Sequence, residues 1–161
     1  MPSNAAFRFS DDDVLTERSP SVWFTNAEDA SEFAAQAAWW QGVRRQLERL
    51  QKLEENWDSY GAQPVSGVAL NVSVDLLKHF GPRFEPPRIA PLPNGGLQLE
   101  WESPDYEVSV EISPTRRVSL LVESPAGLVD AEETGSPFGQ FLNEYASRLA
   151  NRIPRRESQT A

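Results

Sequence analysis

Two carboxylates set among aromatic side chains are the first chemistry this sequence offers. Asp58 stands in Asn56-Trp57-Asp58-Ser59-Tyr60-Gly61-Ala62, and Glu100 precedes Trp101 in Gly95-Gly96-Leu97-Gln98-Leu99-Glu100-Trp101. A pair of carboxyl groups near aromatic walls is the equipment of a sugar hydrolase, in which one protonates the leaving group while the other acts as base or nucleophile. On that reading Trp57, Asp58, Tyr60, Glu100 and Trp101 line one pocket. The plainer reading is structural: the aromatics are costly to leave in water and fold onto the sheet near Trp101, while Asp58 binds its own loop backbone as an Asx-turn. Trp57 and Tyr60 are then expected to be largely buried. Other catalytic equipment is scarce. With no cysteine there is no disulfide framework, thiolate zinc site or cysteine nucleophile. The single histidine, His79, falls near a predicted helix end, where it complements the dipole. Asn94-Gly95-Gly96 enters a strand rather than a helix, so it does not cradle phosphate, and no metal or cofactor is expected.

The carboxylates are also unevenly distributed. Between Leu97 and Glu133 stand Glu100, Glu102, Asp105, Glu107, Glu111, Glu123, Asp130, Glu132 and Glu133, against only Arg116 and Arg117, and the whole chain carries −9. A phosphate backbone is repelled by such a segment and a basic protein is steered to it. The basic residues Arg44, Arg45, Arg49 and Lys52 alternate with Glu48, Glu54 and Glu55, the pattern of a solvated helix face rather than a nucleic-acid track. Direct nucleic-acid binding is therefore not expected.

These residues need elements to hold them. Phe33, Trp40, Val43, Leu47 and Leu50 share one face of a helix predicted over 26–55, acidic at its start and basic at its end. Ser66 caps a second helix, with Ala69, Val72, Leu76, Leu77 and Phe80 on one face and Gly81-Pro82 as its stop. From Ile89 the period becomes two. Ile89–Leu92 reads as an edge strand, and three runs between Leu97 and Glu123 bury Leu99, Trp101, Val108, Val110 and Leu120 while exposing the glutamates between them. Leu128-Val129 adds a short strand before an acidic loop, 130–135. Ser136-Pro137 starts a last helix carrying Phe138, Phe141, Leu142, Tyr145 and Leu149, which Pro154 closes. The fold expected is α+β: two N-terminal helices, an antiparallel three- to four-stranded meander, and a C-terminal helix packed on one sheet face. Residues 1–20 read as a mobile acidic arm, 21–153 as a single domain, and 154–161 as a disordered tail.

Register turns this fold into a candidate site. Pairing Trp101 with Tyr106 and Ile112 with Val118 sets Glu100 opposite Glu107 and Glu107 opposite Glu123. Like charges directly opposite one another destabilise a sheet, so the row, with Glu102 and Glu111 beside it, asks for a reason. A dock for a basic protein is one; a weak site for a divalent cation with oxygen ligands is another.

The two motifs, with Pro64 and Ser66 behind the first, resemble a group of small uncharacterised bacterial proteins that share a W-D-x-Y-G-A loop before a helix and then a G-G-x-x-L-E-W strand. The resemblance covers Leu53 to Ile112. It implies a bacterial source and a shared structural unit, and it carries over no catalytic role. The residues themselves favour a non-catalytic binding or accessory module, immunity- or antitoxin-like or an inhibitor, that engages a basic protein through its acidic sheet face. The alternatives are a carboxylate-based hydrolase at Asp58 and Glu100, and a structural subunit of a larger bacterial complex. No apolar run is long enough for a membrane span and residues 1–20 lack the pattern of a secretory signal, so a cytoplasmic location is expected.

Overall fold

The structure is a computed structural model in which residues 27–157 are described. The expected arm, 1–20, lies outside them. Helix α1 (Ala27–Gln51) begins with Glu28 and Asp29 and carries Arg49 in its last turn, and it buries Trp39, Trp40, Val43 and Leu47. Helix α2 (Gly67–Phe80) starts where the sequence places it. The Ser66 side chain accepts the Val68 N–H, and Gly81, at φ 72°, closes the last turn by donating its N–H to Leu77 O. Eight of its residues are buried, Ser73 among them, whose hydroxyl donates to Ala69 O and so enters the core satisfied.

Five strands follow: β1 (Arg88–Pro91), β2 (Leu97–Glu102), β3 (Glu107–Ile112), β4 (Arg117–Glu123) and β5 (Val129–Pro137). They form one antiparallel sheet in the order β1-β2-β3-β4-β5. The period-two pattern decides which face is covered. Leu97, Leu99, Trp101, Val108, Val110, Ile112, Val118, Leu120 and Val122 are all buried, while the residues between them are not. Among the described residues the main helix contacts with the sheet are on this apolar face: α1 at β1, α2 at β2 and β3, and α3 (Phe138–Glu144) at β4 and β5.

The acidic stretch 130–135, expected as a loop, is instead most of β5. Its sequence lacks the apolar alternation of a strand because two register irregularities against β4 interrupt the period, and because polar contacts replace packing. The Gly135 N–H, for instance, goes to the Ser119 hydroxyl. Ser136 is accordingly the buried end of β5 and not a helix cap; Pro137 occupies that position with no side-chain bond. The single helix expected beyond it is two, α3 and α4 (Ala146–Ala150), separated by Tyr145.

The connector between α2 and β1 is held from three sides. The indole of Trp39 donates to Phe84 O at 2.8 Å, and that of Trp101 to Glu85 O at 2.9 Å. Residues 154–156 then run antiparallel to 83–85: Glu85 N donates to Pro154 O, Arg156 N donates to Arg83 O, and the Arg156 guanidinium reaches Glu32 on α1. The tail expected from 154 is therefore corrected for 154–156, whose backbone has found partners; 158–161 lie outside the described residues.

Candidate functional site

The face of the sheet away from the helices carries the candidate site. The β3–β4 register is the expected one, with Ile112 opposite Val118 and Glu107 opposite Glu123. The β2–β3 register is not. Trp101 pairs with Val108, so Glu102, rather than Glu100, stands opposite Glu107, and Glu100 faces Ser109. The hairpin closes through Ser103, whose N–H donates to Tyr106 O and whose hydroxyl accepts Tyr106 N–H. Tyr106 thereby leaves the ladder and lies half-buried, with the Arg152 guanidinium 4.8 Å from its ring centre. A shift of two residues leaves every side chain on its face, so both registers satisfy the hydrophobic pattern and the turn decides between them.

The carboxylate row is thus Glu102, Glu107 and Glu123, and its members stand on three successive strands. Glu100 is drawn off toward the edge, where Arg88 Nε lies 3.2 Å from its carboxylate, the arginine largely exposed and the glutamate mostly covered. Glu111 lies between Gln98 and Ser119. In the middle of the face, Gln98 donates to the Ser109 hydroxyl at 2.8 Å. Counting Glu132 opposite Leu121, the open face carries, among the described residues, six carboxylates, Glu100, Glu102, Glu107, Glu111, Glu123 and Glu132, against the guanidiniums of Arg88 and Arg117. Among the described residues no three His, Asp or Glu side chains converge on a point where they could hold a metal ion. The row is a field of charge and not a cage.

The pocket reading, in which Asp58 and Glu100 share one site, is not met by their placement. A cleft of about 450 Å3 does unite Glu100, Glu102, Glu107 and the edge of Trp101, but its other lining residues are Glu85, Pro86, Arg88 and Pro154. The loop with Trp57, Asp58 and Tyr60 docks at the opposite end of β2. There Gln63 N donates to Pro93 O and Ser66 N to Gly95 O, and Glu100 lies five residues farther along, about 16 Å at the rise of a strand.

The loop is self-contained. Asp58 Oδ1 accepts the N–H groups of Tyr60 and Ala62, Asn56 Oδ1 accepts that of Gly61, and Asn56 N donates to Ala62 O. Asn56 and Ser59 both sit at φ 65°, a strained region for residues with side chains, held here by those bonds. The Asx-turn expected at Asp58 is present. The burial expected of Tyr60 is not: it is 93% exposed. Trp57 is half-buried and donates to Gln63 O at 3.1 Å. A loop that satisfies its own backbone has no need to lie on the sheet, and its tip faces solvent.

A polar network that the sequence did not announce joins β5 to the break between α3 and α4. The Ser136 hydroxyl donates to Glu133 Oε1 at 2.6 Å and the Tyr145 hydroxyl donates to Glu133 Oε2. These bonds, that from Ser136 foremost, hold the Glu133 carboxyl below its ordinary value of 4.5, and the same bond to Glu133 raises Tyr145 above its ordinary 10.0. Beside them Arg152 meets Asp130 at 2.6 Å. The Glu133 contribution to stability is present above the ordinary carboxylate value and is lost as pH falls through its depressed folded value. The Tyr145 contribution is present below 10.0 and is lost as pH rises through the elevated folded value. Denaturation midpoints should therefore fall at both ends of the pH range, and Glu133→Gln should flatten both limbs. A variant with the wild-type pH profile would show that the network does not couple to folding. The only hint in the sequence was the spacing of Glu133 and Ser136; their meeting with Tyr145 depends on tertiary packing.

Among the described residues no helix is long and apolar enough to cross a membrane. No protein-family model, curated protein or solved structure matches the chain.

Proposed function

We propose that this chain is a binding module, without catalysis of its own, that docks a basic protein on the open face of its sheet. The observation that carries the reading is the placement of charge. Among the described residues the helices pack on the apolar face of the sheet, and the other face carries six carboxylates against two guanidiniums, three of the carboxylates in direct lateral register. Such a row costs some folding energy in the free protein and gains it back when a cationic surface neutralises it. Exposed charges attract across roughly a Debye length, about 8 Å at physiological ionic strength, so capture should be fast and sensitive to salt. An immunity- or antitoxin-like protein and an inhibitor of a basic enzyme both fit this chemistry, as does a place in the cytoplasm of a bacterium.

The test is the triple variant Glu102→Gln, Glu107→Gln, Glu123→Gln. It should fold as the wild type does, or be more stable by up to about 1 kcal/mol, because repulsion is removed without loss of shape. It should retain fewer basic proteins in pull-downs from cell extract, and its remaining capture should depend less on salt. Equal capture by the two proteins at every salt concentration would remove the acidic face from the function.

A further inference from the structure

A meander has two edges, and in this sheet they differ. β1 has four residues and carries Pro91, and its Ile89 N–H is taken by Gln46 Oε1 from α1 at 3.1 Å. That edge is closed. β5 has nine residues, and among the described residues no strand lies outside it.

Which groups of β5 face outward follows from β4. At one end Ser113 N donates to Arg117 O, on the β3 side, and at the other Ser124 N donates to Leu128 O, on the β5 side. Alternation between these points turns the backbone groups of Leu120 and Val122 toward β5 and those of Leu121 toward β3. Glu132 stands opposite Leu121, so its own N–H and C=O face away from the sheet.

The two sides of this edge differ in chemistry. On the open face Glu132 and, on β4, Glu123 supply the charge, with Leu121 and the exposed Val129 between them. On the helix side a cleft of about 470 Å3 opens between β5 and α4, with Leu120, Val122 and Ala131 as its apolar floor, Tyr145 and Arg148 on one wall, and Glu132 with the Asp130–Arg152 ion pair at its rim. We propose that β5 is extended by a strand of the partner protein whose alternate side chains are basic over the open face and apolar in the cleft. This rests on the docking function proposed above and adds where the partner's backbone binds. A second copy of this chain is the wrong occupant, because pairing β5 with itself would bring Asp130, Glu132 and Glu133 of two chains carrying −9 each together. A strand of alternating cationic and apolar residues meets both faces and completes the open ladder.

The probe is an octapeptide of alternating Lys and Val, compared with a control in which two of the Val are Pro. The alternating peptide should slow amide exchange at Glu132 and shift the resonances of Arg148, and the Pro control should bind roughly tenfold more weakly. Glu132→Pro removes an outward N–H without touching the β4 ladder and should abolish the difference between the peptides. Glu132→Lys, which keeps the N–H, should instead favour an alternating Glu and Val peptide, and it provides the test should the proline variant fold poorly. If the two cationic peptides bind alike and Glu132 stays unprotected, the edge proposal is overturned while docking on the acidic face stands. Protection at Glu132 that survives the triple glutamine variant keeps the edge and removes the carboxylate row from it.

Discussion

Trp101→Ala is expected to lower the free energy of unfolding by about 3–5 kcal/mol, the usual cost of deleting a large aromatic from a core. The indole is 3% exposed at the end of β2 and donates to Glu85 O. Its removal therefore opens a cavity and also takes away a donor from the connector that Trp39 holds one residue earlier. Trp101→Phe separates the two effects, since it keeps most of the ring's volume and loses the N–H; about 1–3 kcal/mol is expected for the carbonyl left behind. Chemical denaturation of both variants decides. An alanine variant with the wild-type midpoint would mean that the connector is not anchored through this side chain.

Gly96→Ala should cost roughly 3 kcal/mol, at the upper end of what overpacking does. A Cβ at that position would lie 2.5 Å from Ile112 O, a backbone atom of the neighbouring strand that cannot move without disturbing the β2–β3 ladder. Gly95→Ala should be of similar size for a different reason. Gly95 sits at φ +86°, and a Cβ there would lie 2.9 Å from Pro64 O, so strain and contact combine. Thermal unfolding of the two variants is the measurement, and Gly139→Ala, on an open helix surface with nothing within 4 Å, is the control. Gly96→Ala with unchanged stability would show that the two strands are not so close at this point.

These glycines also explain why the two sequence motifs occur together. The turn at Gly95 receives the chain leaving the Trp57 loop, through Ser66 N to Gly95 O and Gln63 N to Pro93 O. The motifs form one junction between loop and hairpin, and do not form a pocket. Their aromatics suggested a pocket because sequence shows composition without direction. Trp101 and Trp57 lie at opposite ends of β2, a distance that only the strand's path reveals.

What was legible followed from strong local physics. The Ser66 cap, the Gly81 stop and the alternation through β2, β3 and β4 each have one structural solution, and each is found. The register of β2 on β3 was open to a two-residue error because parity is preserved, and the error moved Glu100 out of the row in favour of Glu102. Residues 130–135 of β5 read as a loop beyond a short strand at Leu128-Val129, because their pairing rests on backbone and polar contacts, which leave no apolar period. The exposure of Tyr60 was missed for a related reason: an aromatic suggests burial, and the bonds that close the loop around Asn56 and Asp58 outweigh that preference.

The pairing of 154–156 with 83–85 has a consequence for how the protein assembles. Each strand of the sheet pairs with its neighbour in the chain, so the sheet is built from short-range closures that form quickly. The clasp is of another kind: Arg156 and Glu32 are 124 residues apart, and their meeting waits until helices and sheet are in place. Phe84 and Ile153 anchor its two sides in the core, while Arg155 and Arg156 beyond them stay at the surface. The loop-closure cost of so long a separation makes the clasp the expected last part of the molecule to close, and the expected first to reopen. The Glu85 and Arg156 amides should exchange with solvent through this local opening, long before the amides of β3 and β4, which exchange only when the whole domain unfolds.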